Sequence, residues 1–205
     1  SEGQGSPTEV IFDGPDNIAV NLVELTDDDP SSKVGQMKIY TQKNGRTPTG
    51  LTPVVTSAHT TRDIDLDVVF HRKVLQNELL IDEVLSSEEQ NEFLQLPRNA
   101  KTAVKFMQGN HMFGKIALSQ PLNYECHDMV PDGIAPNIGY ISQAFEVHDL
   151  GFSEKAISDL GCEIYNKRRL VDFPGLGQIE IITVRAPGSG ALQLIFQSKR
   201  LIKKD

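Results

Sequence analysis

A chain of 205 residues, 39% of them hydrophobic, is long enough to bury one sizeable core or two small ones. With 28 acidic against 20 basic residues, the net charge of −8 argues against a nucleic-acid surface, which needs concentrated Lys and Arg to neutralise phosphate. No apolar run approaches the roughly 18 residues needed to cross a bilayer, and "SEGQGSPTEV" lacks the charged and apolar regions of a signal peptide, so the chain reads as cytoplasmic with no membrane partner. Cys126 and Cys162 form no CxxC pair and read as reduced thiols. The basic tail "SKRLIKKD" reads as a solvated terminus.

In chain order, "EVIFDGPDNIAVNLVEL" (9 to 25) predicts a hairpin, because an apolar-rich strand runs into Gly, Pro, Asn and Asp before a second strand. Residues 26 to 50 are a linker by composition, with "GQMKIYTQ" adding at most one strand. "PVVTSAHTT" is then a strand, and Asp63 caps a helix whose apolar Leu66, Val69, Phe70 and Val74 recur at three and four residues. "ELLIDEVL" continues as a strand. "SSEEQNEFLQLPRN" (86 to 99) is an insert: Ser86 with Glu89, or Ser87 with Gln90, makes a capping box for a short helix ended by Pro97, serving as a lid or as cover for a sheet edge.

"TAVKFMQGNHMFGKIALSQ" (102 to 120) is a second hairpin, followed by a linker over 121 to 137. The pattern then repeats. "IGYISQAFEV" is a strand, Asp149 or Ser153 caps a helix bearing Phe152, Ala156, Ile157 and Leu160, Gly161 ends it, and "CEIYNKRRLVD" leads to a third hairpin over 179 to 197. The expected organisation is a partial module plus linker at 1–50 and two βαβββ modules at 51–125 and 126–205. The partial module lacks a first strand and helix, which reads as a fragment of a longer protein or as completion by another chain.

These units resemble the vicinal oxygen chelate superfamily, which includes glyoxalase I, the bleomycin-resistance proteins and extradiol dioxygenases. The likeness lies in "RDIDLDVVFHRKVLQNELL", where Asp63, Phe70 and Leu75 keep the family pattern, His71 stands where Tyr is usual and Gln76 where Gly is usual. In "HDLGFSEKAISDLGCEIY", Asp149, Leu150, Leu160 and Gly161 match, with Ala156 and Ile157 in place of the aromatic pair. The hairpins "DGPDNIAVNLVEL" and "PGSGALQLIF" are similar to the family's closing turn and strand. The resemblance implies an α+β fold of tandem glyoxalase-like βαβββ modules, pairing into a curved sheet around a cup.

In metal-dependent members, as the resemblance implies, His, Gln or Glu near the start of each first strand and Glu in each last strand hold a divalent ion. Seven residues before Asp63 and Asp149 stand Thr56 and Ser142; the closing strands offer Ala117 and Gln193, and the partial unit Asn21. Hydroxyls, a methyl and an amide are poor donors for a catalytic ion, so no metal or other cofactor is expected. His59 alternates to the face opposite Thr56, whereas Glu146 shares a face with Ser142 and Ala144 and is the candidate catalytic carboxylate. Arg185 and Lys105 are candidates to hold an anion. His111, His127 and His148 sit at a turn, in a linker and before a cap, and adjacent Cys126 and His127 lack an orienting third group.

The leading expectation is a cup that binds a small organic molecule through Thr56, His59, Ser142, Gln193 and Arg185, in the sequestering manner of bleomycin-resistance proteins. The alternative is a divalent-metal-dependent lyase, isomerase or dioxygenase that uses His59, Glu146 and Gln193 as non-standard ligands. Linkers of 17 to 25 residues allow the modules to pair within one chain or across a homodimer.

Overall fold

The structure, a computed structural model, describes residues 8–44 and 47–198, so the basic tail from residue 199 onward lies outside the described residues. Strands β1 (Thr8–Asp13) and β2 (Ala19–Glu24) form the first hairpin, a separate two-stranded sheet. Cross-strand partners share a face, so Val10 with Leu22 and Phe12 with Val20 line up on one side, and Val10, Phe12 and Leu22 are exposed there.

Helix α1 (Lys33–Asn44) occupies the region read as linker. "GQMKIYTQ" is helical rather than a strand, because the Ser32 hydroxyl accepts the Gly35 N–H at 2.9 Å and so caps the first turn. Met37 and Thr41, four residues apart, are both buried on one face. A helical period wins here over the alternation seen in the sequence.

The next unit comprises β3 (Thr56–Thr60), α2 (Ile64–Val74), β4 (Glu78–Leu85), α3 (Glu88–Phe93), β5 (Thr102–Gln108) and β6 (Lys115–Pro121), with sheet order β3-β6-β5-β4. The last comprises β7 (Ser142–Glu146), α4 (Leu150–Asp159), β8 (Ile164–Phe173), β9 (Gly177–Arg185) and β10 (Leu192–Ser198), with order β7-β10-β9-β8. Both sheets follow one rule: the first strand runs parallel beside the last, and the other pairings are antiparallel. The fold is α+β, built from two βαβββ units as the repeat predicts.

The repeat extends to the helix ends. The Asp63 carboxylate accepts the N–H groups of Asp65 and Leu66, and Asp149 accepts that of Phe152, so each helix begins on an aspartate with extended backbone. Each then stops at a left-handed residue, Gln76 with φ +56° and Gly161 with φ +65°. Glycine adopts that conformation freely, whereas glutamine does so at a steric cost. Replacing the exposed Gln76 with glycine is expected to stabilise the protein by about 1 kcal/mol, measurable as a shift in the urea midpoint.

Insert helix α3 carries the capping box, with Ser87 and Gln90 as the pair, but it closes at Phe93, ahead of Pro97. Gln95, at φ +56°, turns the chain before the proline is reached. Asn91 is buried and donates to the Arg98 and Ala100 carbonyls, fixing the following loop. No helix among the described residues is long and apolar enough to cross a membrane.

The two units share their interior. Phe70 and Val74 of α2 pack in one cluster with Val147, Leu150, Ile157, Ile182, Val184 and Ile195 of the last unit. A second cluster, Ile64, Val68, Met107, Ile116 and Leu118, receives Phe145 from β7. Burying each such side chain is worth about 1.5–3 kcal/mol, so much of the stabilisation crosses the boundary between units. The Ser153 hydroxyl also donates to the Val74 carbonyl at 2.7 Å, joining the start of α4 to the end of α2.

Candidate functional site

Strand register sorts the candidate residues onto two faces. In the parallel pair β3 and β6, Thr56 lies opposite Lys115 and Ala58 opposite Ala117, whereas His59 lies opposite Leu118. Leu118 belongs to the cluster packed on α2, so His59 faces the helix and Thr56 faces away. In β7 and β10, Ser142 lies opposite Leu192 and Ala144 opposite Leu194, but Gln143 lies opposite Gln193. Gln193 is therefore not beside Ser142 in the cup. It shares the helix-facing side with Gln143, a correction that follows from a register differing by one residue from the sequence reading.

The side away from the helices does not suit the ion that the resemblance implies. Its strand positions hold Thr56, Ala117, Ser142 and two leucines, and Lys115 sits across from Thr56. Burial pushes the Lys115 amine down to about 8, and its Nζ donates to the Met112 carbonyl. A cationic side chain among hydroxyls and hydrocarbon opposes a divalent ion. Glu146 lies on this face, but it is exposed and accepts the Ser198 hydroxyl. Among the described residues, no group of three or more His, Cys, Asp or Glu side chains converges as an ion site.

The helix-facing side is polar where the units meet. Gln143 Nε2 donates to Ser57 Oγ at 3.3 Å, joining β7 to β3. Asp67 of α2 is fully buried; its Oδ1 accepts the Gly188 N–H at 2.8 Å, and its Oδ2 lies 3.9 Å from His59 Nε2. That gap is too long for a formed hydrogen bond, so the influence of His59 on Asp67 is electrostatic. Burial raises the Asp67 carboxyl, but His59, the Thr61 hydroxyl and the Gly188 N–H together more than offset it and hold the group below the usual carboxylate range. His71, one turn further along α2, stacks edge-on against Phe70 and Phe145, and burial pushes its imidazole down to about 4. It is a neutral ring in the core.

A groove of about 640 Å³ opens between the units at this point, lined by His59, Gln143 and Gln193 below and by Ser142, Tyr140 and Arg185 among others. The connection between the units contributes Cys126 to Val130 to its wall, and Arg62 clamps that segment through a 2.6 Å ion pair with Asp128. Both nitrogens of His59, the Gln143 Oε1 and both polar atoms of Gln193 are buried without a protein partner. Such groups are costly unless something hydrogen-bonds to them.

Four of the five candidate binding residues, His59, Ser142, Gln193 and Arg185, line this groove, and Thr56 does not. Arg185 is engaged: it donates to the Gly190 carbonyl, pairs with Glu163 at 3.5 Å and lies over the Tyr165 ring. Cys126 and His127 line the groove as exposed side chains, and both cysteines are free. Lys105 is bound to Asp65 and Asp82, and His111 contacts Tyr40 and Phe113 at a hairpin tip. The His148 carbonyl accepts Gln197 Nε2. Neither α3 nor any other part of the insert borders the groove, which leaves the lid reading without support.

Asp67, Gln143 and Gly188 were missed. Two of them left a trace in the sequence: Asp67 occupies the stripe Ile64, Asp67, Val68, His71, Val74, and Gln143 alternates with Phe145 and Val147. A polar residue on an apolar face was the available signal. Gly188 left none, because its contact is made across a long sequence separation.

No protein-family model matches the chain, and no curated protein matches it. Solved structures do. A glyoxalase family protein from Bacillus cereus superposes with a TM-score of 0.59 at 15% identity, over 75% of this chain and 99% of that one. Glyoxalase I from Zea mays superposes with a TM-score of 0.53 at 14% identity, over 97% of this chain and 57% of that one, so the chain spans little more than half of that enzyme. At these identities the likeness concerns architecture, and it agrees with the paired units, their strand order and their matched helix ends: the chain has a glyoxalase-like fold.

Proposed function

We propose that this chain binds a small organic molecule in the groove between its two βαβββ units, without an ion at the strand positions used by metal-dependent members of the superfamily. The supporting observation is the set of polar heads on His59, Gln143 and Gln193, buried where the groove meets the helix-facing side and left without protein partners. A volume near 640 Å³ falls within the roughly 300–1,000 Å³ of small-molecule sites, and apolar Met129, Val130 and Leu192 supply wall surface. Binding of this kind needs shape and a few oriented hydrogen bonds, and it needs no acid–base residue in the groove.

Ligand-observed NMR with a fragment collection tests this reading. Fragments are expected to give saturation transfer that disappears in Ser142→Trp, whose indole would fill the groove from β7 while circular dichroism stays unchanged. An absence of bound fragments, or binding indifferent to Ser142→Trp, would overturn it.

A further inference from the structure

We infer, building on the groove as a binding site, that its ligand is an uncharged molecule presenting a hydrogen-bond donor next to an acceptor, as an amide or lactam edge does. The argument begins with the pairing of Gln143 and Gln193, which are direct partners on adjacent parallel strands. Their side chains therefore stand side by side on one face, and both residues are more than nine-tenths buried. Gln193 has its acceptor and its donor free of protein partners; Gln143 has its acceptor free, because its Nε2 is used by Ser57. His59 adds its Nδ1, while its Nε2 faces Asp67 Oδ2 at 3.9 Å. Alternating donors and acceptors of this type complement a neutral amide.

The charges around the groove support the same class. Its two guanidinium groups are already engaged, Arg62 by Asp128 and Arg185 by Glu163 and the Gly190 carbonyl, so an anion would have to compete for them. Behind His59 lies the buried carboxylate of Asp67, which repels a negative ligand further. No arginine or lysine lining the groove is left to receive a carboxylate or phosphate.

A second consequence separates binding from packing. A buried amide with no partner destabilises the free protein, so removing it without changing its shape should raise stability while destroying recognition. Gln193→Met keeps the side-chain length and deletes both polar atoms. The free variant is expected to melt roughly 2–4 °C higher than the parent. A residue kept only for packing would not show stability and binding moving in opposite directions.

Matched probes provide the test: nicotinamide against nicotinate, and uracil against orotate, each titrated by ligand-observed NMR into the full chain and into Gln193→Met. The neutral member of each pair is expected to bind at least about tenfold more tightly than its carboxylate, a difference of about 1.4 kcal/mol, and Gln193→Met should lose that preference. If the carboxylates bind more tightly, the ligand class is wrong although the groove still binds. Where no probe binds and the fragment collection also fails, the binding reading falls with it. Should neutral probes bind equally well to Gln193→Met, the glutamine pair is not the recognition element. The ranking of the four probes on the parent protein decides the class even if the variant does not fold.

Discussion

Gly188→Ala is expected to destabilise the protein on the order of 4 kcal/mol or to prevent folding. A Cβ built at Gly188 would lie 2.0 Å from the Asp63 carbonyl oxygen and 2.7 Å from the Asp67 carboxyl carbon. The first obstacle is backbone at a helix start and the second is a buried side chain, so neither yields cheaply. Moving the β9–β10 turn away would also break the 2.8 Å hydrogen bond from the Gly188 N–H to Asp67, leaving a buried carboxylate short of a donor. Soluble yield and the midpoint of thermal unfolding, compared with Pro187→Ala at an exposed position of the same turn, measure the effect. A Gly188→Ala protein melting within about 2 °C of the parent would show that the turn does not lie against α2.

The second large expectation concerns acid. Burial holds His71 neutral down to about pH 4, whereas the unfolded chain takes up that proton near pH 6.5. Between these values the unfolded state binds more protons, so stability rises with pH across the window and is lost as pH falls through it. The loss should approach about 3 kcal/mol by pH 4, since each unit of separation is worth about 1.4 kcal/mol. Asp67 adds to the loss lower down: its carboxyl is held below the usual range, so its stabilising contribution is present above the unfolded value and disappears as pH falls through the folded one. Urea unfolding at a series of pH values tests this. His71→Phe should flatten the slope between pH 6.5 and 4 while keeping an aromatic ring against Phe145. A slope unchanged in His71→Phe would place the acid sensitivity elsewhere.

Much of the architecture was legible because it depends on local signals. Asp63 and Asp149 announce helix starts, Gly161 announces a stop, and the three hairpins carry their turn residues in the open. Helix α1 was misread because its short run of apolar and β-branched residues mimics a strand, and its deciding contact, Ser32 to Gly35, is a capping detail. The site was less legible for a different reason. Its face assignment rests on register, and the sequence alone allowed Gln193 to be placed beside Ser142, whereas the pairing sets it against Gln143. Asp67 is hidden because the strand pattern points to strand carboxylates, and the one that lies against His59 comes from a helix.

The bond between Asp67 and Gly188 has one more implication. A hairpin from the C-terminal half supplies the donor that a helix in the other half requires, while Phe70 and Val74 of that helix find their neighbours in the C-terminal half too. Severing the polypeptide within residues 122–141 would thus yield two pieces, each exposing the surface meant for the other, and recovery of native spectra should require mixing them.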